Sequence, residues 1–423
     1  MKPQLILLCP TPRDLHHLGS ENIRERYEIL PFGDYQDNPA SFDVSNFIKK
    51  ADAFIEQTSG LQGILGPGDY PESILASLLI QKFSLPGPSP ESVFLCQHKY
   101  YSRREQKNSV PHAVPQFFVA PLDRTWKEEE IPLPFPFFVK PVKGVLSLFS
   151  RPVHFFEEFS RTIQESREKL PPWVRPFNHL LEASHLAEKF PLKGDCLIAE
   201  EILSGHQVTL EGYVYQGEVF LIEIVDSIFY PGTRSFERFQ CPSSLPPPIQ
   251  ERMVEVCRRF LKQIRFNNGI FNIEFIYHPQ RKTYHILEVN SRLAHQFAGM
   301  MEAIHGTNTY EIMIDLALGR KPSFCRFAGE DRAAASFVLR AFEDGWIDSV
   351  PSPEDLKKID QAFPKVQVEI LVSPGRNLSD HFRQDEQSYR YAIINLSGKS
   401  EGDLLAQGEE VKRLLPFRFS KKK

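Results

Sequence analysis

FNIEFIYHPQRKTYHILEVNSR, Phe271 to Arg292, reads as two β-strands joined by a polar turn. With the turn centred near Arg281, Glu274 falls directly opposite Glu288. Residues two apart share a strand face, so Asn290 and Arg292 line up with Glu288 beside Glu274. Ile273, Phe275, Leu287 and Val289 are expected on the other face. Facing carboxylates repel and destabilise a ladder, and a bound cation removes that cost. Two carboxylates and one amide oxygen make a hard, all-oxygen set suited to Mg²⁺ or Mn²⁺, completed by substrate phosphates. Arg292 is placed to hold a phosphate oxygen with its planar fork. Solvated surface charge is the plainer alternative. A solvent face would mix Lys with Glu across the strands, and here the set is Glu, Glu, Asn and Arg.

The remaining composition narrows the class. A chain of 423 residues with 41% hydrophobic content can build two or three domains with real cores. A net charge of −4 carries no basic footprint for nucleic acid. The run Lys421-Lys422-Lys423 is expected to be a solvated tail. Cys9, Cys96, Cys196, Cys241, Cys257 and Cys325 form no CxxC pair, so neither a zinc site nor a disulfide framework is expected. Reduced, buried thiols point to a cytoplasmic protein. The opening run is broken by Pro10 and Pro12 and reads as a strand rather than a signal peptide. No apolar stretch is long enough to span a bilayer, so no membrane partner is expected.

Along the first hundred residues, strand and helix signals alternate: Gln4–Cys9 and YEILPF are strands, Gly60–Tyr70 holds a third strand ending in a Gly-rich turn, and Ser45–Ala51 and Glu72–Phe83 are helices. That alternation predicts a small parallel α/β domain over 1–95. The turn Gly66-Pro67-Gly68-Asp69 falls at a strand's carboxyl end, where open α/β sheets place ligands; a plain tight turn is the simpler reading. A helix from Ser89 carries Lys99, and FPFFVKP is a buried strand ending at Lys140. LPPWVRPFNHLL is expected to be irregular, with a short helix before Phe190. Cys196–Leu203 is a strand, and Val208–Ser227 a meander turning at Gln216-Gly217. Ile249–Gln263 is an amphipathic helix, and Thr309–Leu318 a helix stopped by Gly319. From Arg332 onward, three strand signals and a helix at Leu404–Leu415 predict a small α+β module over 329–423.

Taken in order, these landmarks are a helical Lys, a strand-ending Lys before a Gly-containing loop, a strand ending in EEIL, and the acidic hairpin. That order resembles the ATP-grasp superfamily over residues 96–325. The run SRLAHQ…GTNTYEIMIDLALGRKP is similar to stand-alone, biotin-carboxylase-like members. The resemblance implies a two-lobed ATP-grasp domain over 96–328, with its lobe boundary near 205, between the α/β domain and the C-terminal module. It implies that Lys99 and Lys140 hold the α- and β-phosphates, and that Lys143–Phe149, with Lys143, Gly144 and Ser147, closes over them. It implies that Glu200 accepts from the adenine amino group, that the backbones of Glu201 and Leu203 form a hinge contact, and that Gln207 stands at a ribose-binding position. Glu274, Glu288 and Asn290 match Mg²⁺ ligands, and Arg292 matches the phosphate arginine. Two departures stand out: the loop has Gly144 as its only glycine, and Gln207 replaces the usual Glu.

The activity so implied is ATP- and Mg²⁺-dependent: a carboxylate is activated as an acyl phosphate and coupled to an amine, with Lys140 and Arg292 as the catalytic cations. Arg234, Arg238 and His295 are candidates to grip the acid or face the acceptor; surface arginines and a structural histidine are the alternatives. Two rivals remain. Biotin carboxylases continue past E-x-N-x-R with Q-V-E-H, whereas this chain has Leu293-Ala294-His295-Gln296 and no biotinyl-lysine motif. A non-catalytic ATP-binding regulator is the second. The partners implied are small-molecule acids and amines, and relatives that pair as homodimers leave that option open here.

Overall fold

The computed structural model describes residues 2–35, 39–144, 148–381 and 388–421. Its first unit is built from β1 (Gln4–Leu8), α1 (Pro12–Leu18), α2 (Glu21–Arg26), β2 (Glu28–Phe32), α3 (Val44–Gln57), β3 (Leu61–Leu65) and α4 (Glu72–Lys82). The three strands form a parallel sheet in the order β2-β1-β3. Leu5, Ile6, Leu7 and Leu8 are all fully buried, because a central parallel strand is covered on both faces. Thr11 caps α1 and forms a reciprocal capping box with Asp14. The segments after β1 and after β3 therefore emerge together at the carboxyl edge of the sheet.

The expected single helix from Ser89 is instead two. α5 (Pro90–Gln97) and α6 (Lys99–Ser109) break at His98, whose φ of −90° and ψ of 99° are extended. Lys99 is thus the first residue of α6, and its N–H donates to the Val142 carbonyl at 2.8 Å. Next come β4 (Phe117–Pro121), β5 (Phe137–Pro141), β6 (Arg151–Val153), α7 (Phe156–Lys169), α8 (Pro171–Ala183) and β7 (Cys196–Glu201). The strands form an antiparallel sheet in the order β4-β7-β5-β6. The stretch expected to be irregular is α8, despite Pro176 inside it. Val174, Phe177, Leu180 and Leu181 recur at helical spacing and are buried, and that apolar face outweighs the roughly 3 kcal/mol an interior proline costs.

The largest sheet begins with β8 (His206–Tyr215), β9 (Glu218–Phe229) and β10 (Phe236–Cys241), then α9 (Pro247–Gln263), β11 (Gly269–His278) and β12 (Thr283–Asn290). Gln216 and Gly217 turn with φ of 50° and 79°, the paired positive values of a tight hairpin. After α10 (Ala298–His305) and α11 (Thr309–Ala317) follow β13 (Ala333–Ala341), β14 (Gly345–Ser349), α12 (Pro353–Ala362), β15 (Gln367–Ile370), β16 (Tyr389–Gly398), α13 (Glu401–Leu414) and β17 (Arg418–Lys421). Strand order is β12-β11-β8-β9-β10-β13-β16-β15, so the C-terminal strands β13, β15 and β16 extend the sheet that begins at the acidic hairpin. β14 and β17 pair separately.

One correction falls within the hairpin. The register runs Glu274↔Glu288 and then Phe275↔Ile286, so Leu287 is the extra residue of a β-bulge. Ile286, not Leu287, joins the core, where it packs with Ile273, Phe275 and Val289. Alternation from the sequence puts Leu287 inside because a bulge adds one residue to the count.

Candidate active site

Register sets the two faces of the hairpin. Ile273, Phe275, Ile286 and Val289 share a core cluster with Met253, Cys257 and Phe260 of α9. Glu274 and Glu288 are direct ladder partners on the opposite face, as expected. Gln207 Nε2 donates to Glu274 Oε2 at 2.8 Å, and Lys99 Nζ lies 2.8 Å from Glu288 Oε1. Burial, and then the charge of Glu288, push the Glu274 carboxyl above its ordinary range. Burial also works on Glu288, but Lys99 and Lys140 outweigh it and hold that carboxyl down. A carboxyl raised by an anionic neighbour is short of positive charge.

Asn290 Nδ2 donates to Asn272 Oδ1 at 3.4 Å, which leaves the Asn290 carbonyl oxygen to accept. Among the described residues no three or more His, Cys, Asp or Glu side chains cluster for a metal. A divalent ion at two carboxylates and one amide oxygen would need further oxygen from water or phosphate, as Mg²⁺ commonly does. The donor set and the uncompensated Glu274 fit that ion.

The bulge matters to the cations. The Leu287 carbonyl accepts from Arg103 Nη2 at 2.9 Å and from Lys140 Nζ at 3.4 Å. The same two cations grip Glu200: Arg103 Nε to Oε1 at 2.6 Å and Lys140 Nζ to Oε2 at 2.8 Å. Burial opposes the Glu200 charge, but Arg103 and Lys140 win and hold the carboxyl at about 2. Burial lowers Lys140 below its ordinary range, with Glu200 working against it. α6, β5, β7 and β12 therefore meet at one buried ionic knot.

A second knot comes from the N-terminal unit. Asp69, after β3, accepts from Gln97 Nε2 at 2.9 Å and pairs with Lys143 Nζ at 3.4 Å. Its other oxygen lies 3.9 Å from Arg292 Nε. Burial opposes the Asp69 charge; Lys143 and Arg292 hold its carboxyl well below the usual range. Lys143 also donates to Gln97 Oε1 and stands over the Tyr70 ring, 4.9 Å from its centroid. The turn Gly66–Asp69 thus contributes a carboxylate facing the lysines and Arg292.

A family model for the ATP-grasp domain matches residues 133–302, the span holding Lys140, Glu200 and the acidic hairpin. The chain carries an ATP-grasp domain. Solved ATP-grasp structures share its fold from end to end. An L-amino acid ligase from Bacillus licheniformis superposes with a TM-score of 0.75 at 16% identity, covering 99% of this chain and 99% of that one. The biotin carboxylase domain of Hydrogenobacter thermophilus 2-oxoglutarate carboxylase, a dimer in complex with MgADP and bicarbonate, gives 0.66 at 15% identity, covering 100% and 92%. Phosphoribosylglycinamide synthetase from Anaerococcus prevotii gives 0.61 at 15%, covering 99% and 100%. At these identities the likeness is one of fold. No curated protein matches the sequence.

Lys99, Lys140, Glu200, Gln207, Glu274 and Glu288 are linked by direct contacts, and Lys143 and Arg292 join through Asp69. Both Glu200 oxygens are engaged by cations, so its carboxylate anchors Lys140. Glu201 accepts from the Gln116 N–H at 3.0 Å through Oε1, and its own N–H donates to the Gln116 carbonyl at 3.0 Å. Leu203 is half-buried in the otherwise exposed connection between β7 and β8. Gly144 lines a small cavity with Tyr70, Leu148, Phe149 and Trp173; Ser147 lies outside the described residues.

Arg234 is exposed with its guanidinium over the Phe138 ring at 5.7 Å. Arg238 donates to Gln240 at 2.9 Å and pairs with Glu237 at 3.4 Å on β10, two strands beyond β8. Among the described contacts neither arginine touches the hairpin. His295 instead meets the N-terminal unit, with Nδ1 2.9 Å from Asp14 Oδ1.

Arg103 and Glu211 were not singled out from the sequence, and Asp69 was named only as the last residue of the Gly66–Asp69 turn. Arg103 lies four residues after Lys99, hence on the same helix face. Glu211 shares a strand face with Gln207. It is fully buried, accepts from the Ala294 N–H at 3.0 Å, and is pushed up to about 7 by burial. Five of the six cysteines are buried and all are free. No helix among the described residues is long and apolar enough to cross a membrane.

Proposed function

We propose that the protein is an ATP- and Mg²⁺-dependent ligase that activates a carboxylate as an acyl phosphate and couples it to an amine. The observation that carries this reading is Glu274 facing Glu288 across a ladder, with Lys99 on one carboxylate and Lys140 anchored behind it. Glu274, Glu288 and Asn290 would hold the metal, which when bound neutralises charge on the transferring phosphoryl group. Lys99, Lys140 and Lys143 supply positive charge where the phosphates would lie, and Arg292 offers a planar fork to a phosphate oxygen. Lys140 is held by Glu200 and the Leu287 carbonyl, so its ammonium is oriented before substrate arrives. The segment 142–149, of which 145–147 lie outside the described residues, is our candidate for the cover that excludes water from the acyl phosphate.

An amino acid is the first acid to test, since the neighbour with the TM-score of 0.75 is an L-amino acid ligase. Carboxylation is disfavoured because the chain after Arg292 reads Leu293-Ala294-His295-Gln296, without a Glu. Free, buried thiols favour the cytoplasm. The test is a product screen: protein, ATP, Mg²⁺ and a metabolite extract should yield a new condensed mass together with ADP and phosphate. Glu288→Gln should abolish phosphate release while circular dichroism stays unchanged; undiminished release would remove the metal assignment. ATP binding without turnover across the whole panel would favour the regulatory reading instead.

A further inference from the structure

His295 sits three residues beyond Arg292, at the point where the ATP-grasp domain meets the carboxyl edge of the N-terminal sheet. Behind it stands Asp14, in the first turn of α1 and fully buried. Every acceptor direction of Asp14 is used. Oδ2 takes the Thr11 N–H at 2.8 Å and its hydroxyl at 2.6 Å. Oδ1 takes the Tyr310 hydroxyl at 2.5 Å and faces His295 Nδ1 at 2.9 Å. Burial opposes the Asp14 charge, and the bond from His295 leads the interactions that hold it ionised.

That arrangement selects a tautomer. The Tyr310 hydroxyl has one proton and spends it on Asp14, so it is an acceptor toward His295 Nδ1, 3.2 Å away. Nδ1 therefore faces two acceptors and must carry the hydrogen, which leaves Nε2 with its lone pair. Among the described residues Nε2 has no hydrogen-bond partner, and a fifth of the side chain is exposed. A histidine pinned from behind by a buried carboxylate, with its free nitrogen open, is how a general base is presented.

We propose that His295 is the base that deprotonates the acceptor amine, with Asp14 as its positioning residue; this rests on the ligase reading above. The amine nitrogen attacks the carbonyl carbon of the acyl phosphate. The C–N bond forms, the bond from carbonyl carbon to phosphate oxygen breaks, and phosphate leaves with the electron pair. The proton lost by nitrogen goes to His295 Nε2, and the ionised Asp14 stabilises the imidazolium. The amine then approaches on the side where His295 meets the N-terminal unit, so both the first unit and the ATP-grasp domain build the reaction centre.

The test uses the full chain in two measurements. In ¹⁵N-histidine spectra, the ring signal lost in His295→Gln should report Nδ1–H in the wild type and change in Asp14→Asn. An Nε2–H tautomer in the wild type would overturn the proposal without reference to turnover. The second measurement supplies ATP, Mg²⁺ and a mixture of the twenty L-amino acids, with and without hydroxylamine, which attacks acyl phosphates without needing a base. The ratio of peptide to hydroxamate should fall about 100-fold in His295→Gln, the scale of general-base catalysis. An unchanged ratio would overturn the role of His295 alone. No hydroxamate from the wild type would overturn the ligase reading and the base together.

Discussion

Lys99 Nζ lies 2.8 Å from Glu288 Oε1, so the lysine proposed to meet a phosphate is held by the carboxylate proposed to bind the metal. The contact bridges the start of α6 to β12. It supplies part of the positive charge that two facing glutamates require, and under the proposed function it would be shared or exchanged when MgATP enters.

Removing that lysine should act in opposite directions on the two ligands. In Lys99→Gln, Glu288 loses its counter-charge, so Mn²⁺ alone should bind more tightly by electron paramagnetic resonance. ATP should bind about tenfold more weakly by calorimetry, a change of about 1.4 kcal/mol. Both affinities moving the same way would break the proposed coupling.

Arg103 ties Glu200 to the bulge carbonyl of Leu287. Truncating one partner of a buried ion pair leaves the other charge uncompensated, at a cost of roughly 3–5 kcal/mol. Arg103→Met should therefore lower the melting temperature by at least about 5 °C. Lysine at this position should not restore it, because one ammonium cannot reach both acceptors with the same geometry. A melting temperature within a degree of wild type would show that the knot contributes little.

Acid should destabilise the fold through histidines kept neutral. Burial lowers His98 from 6.5 to about 4, and His305 is lowered likewise by burial and Arg326. Above the unfolded value both states are neutral and stability is unaffected. As pH falls below about 6.5 the unfolded chain binds protons first, so stability drops until about pH 4, by on the order of 3 kcal/mol for a fully buried group. His98→Gln should lose less melting temperature than wild type between pH 7 and pH 4.5; parallel curves would contradict this.

Gly205 joins β7 to β8 with φ of +137°, and a Cβ there would lie 2.1 Å from the Tyr277 carbonyl oxygen. Gly205→Ala should cost more than the roughly 1–3 kcal/mol of such backbone strain, since Tyr277 belongs to β11 and cannot shift freely. The hairpin would be displaced with it, so melting temperature and ATP affinity should fall together. A variant stable at wild-type level would mean that the connection adapts.

Much of this was legible in one dimension because strand alternation and turn chemistry are local. The Glu274/Glu288 opposition follows from a two-residue period and a short polar turn, and the Gln216-Gly217 hairpin from residues that accept positive φ. Helix α8 was misread since its proline is a local signal, overridden by an apolar face whose worth depends on what it packs against. Leu287 was turned inward for a related reason: a bulge leaves no mark in the alternation.

The order of strands and helices, the acidic hairpin and the lysines before it were determined by the chain itself, because each depends on neighbours a few residues away. Which charges meet was decided only by the tertiary structure. Asp69 with Arg292, Asp14 with His295, and Arg103 with Glu200 are separated by about one to three hundred residues, and no periodicity spans that distance. Those pairs exist because segments far apart in the chain pack against one another, where burial makes an unpartnered charge costly and so selects its partner.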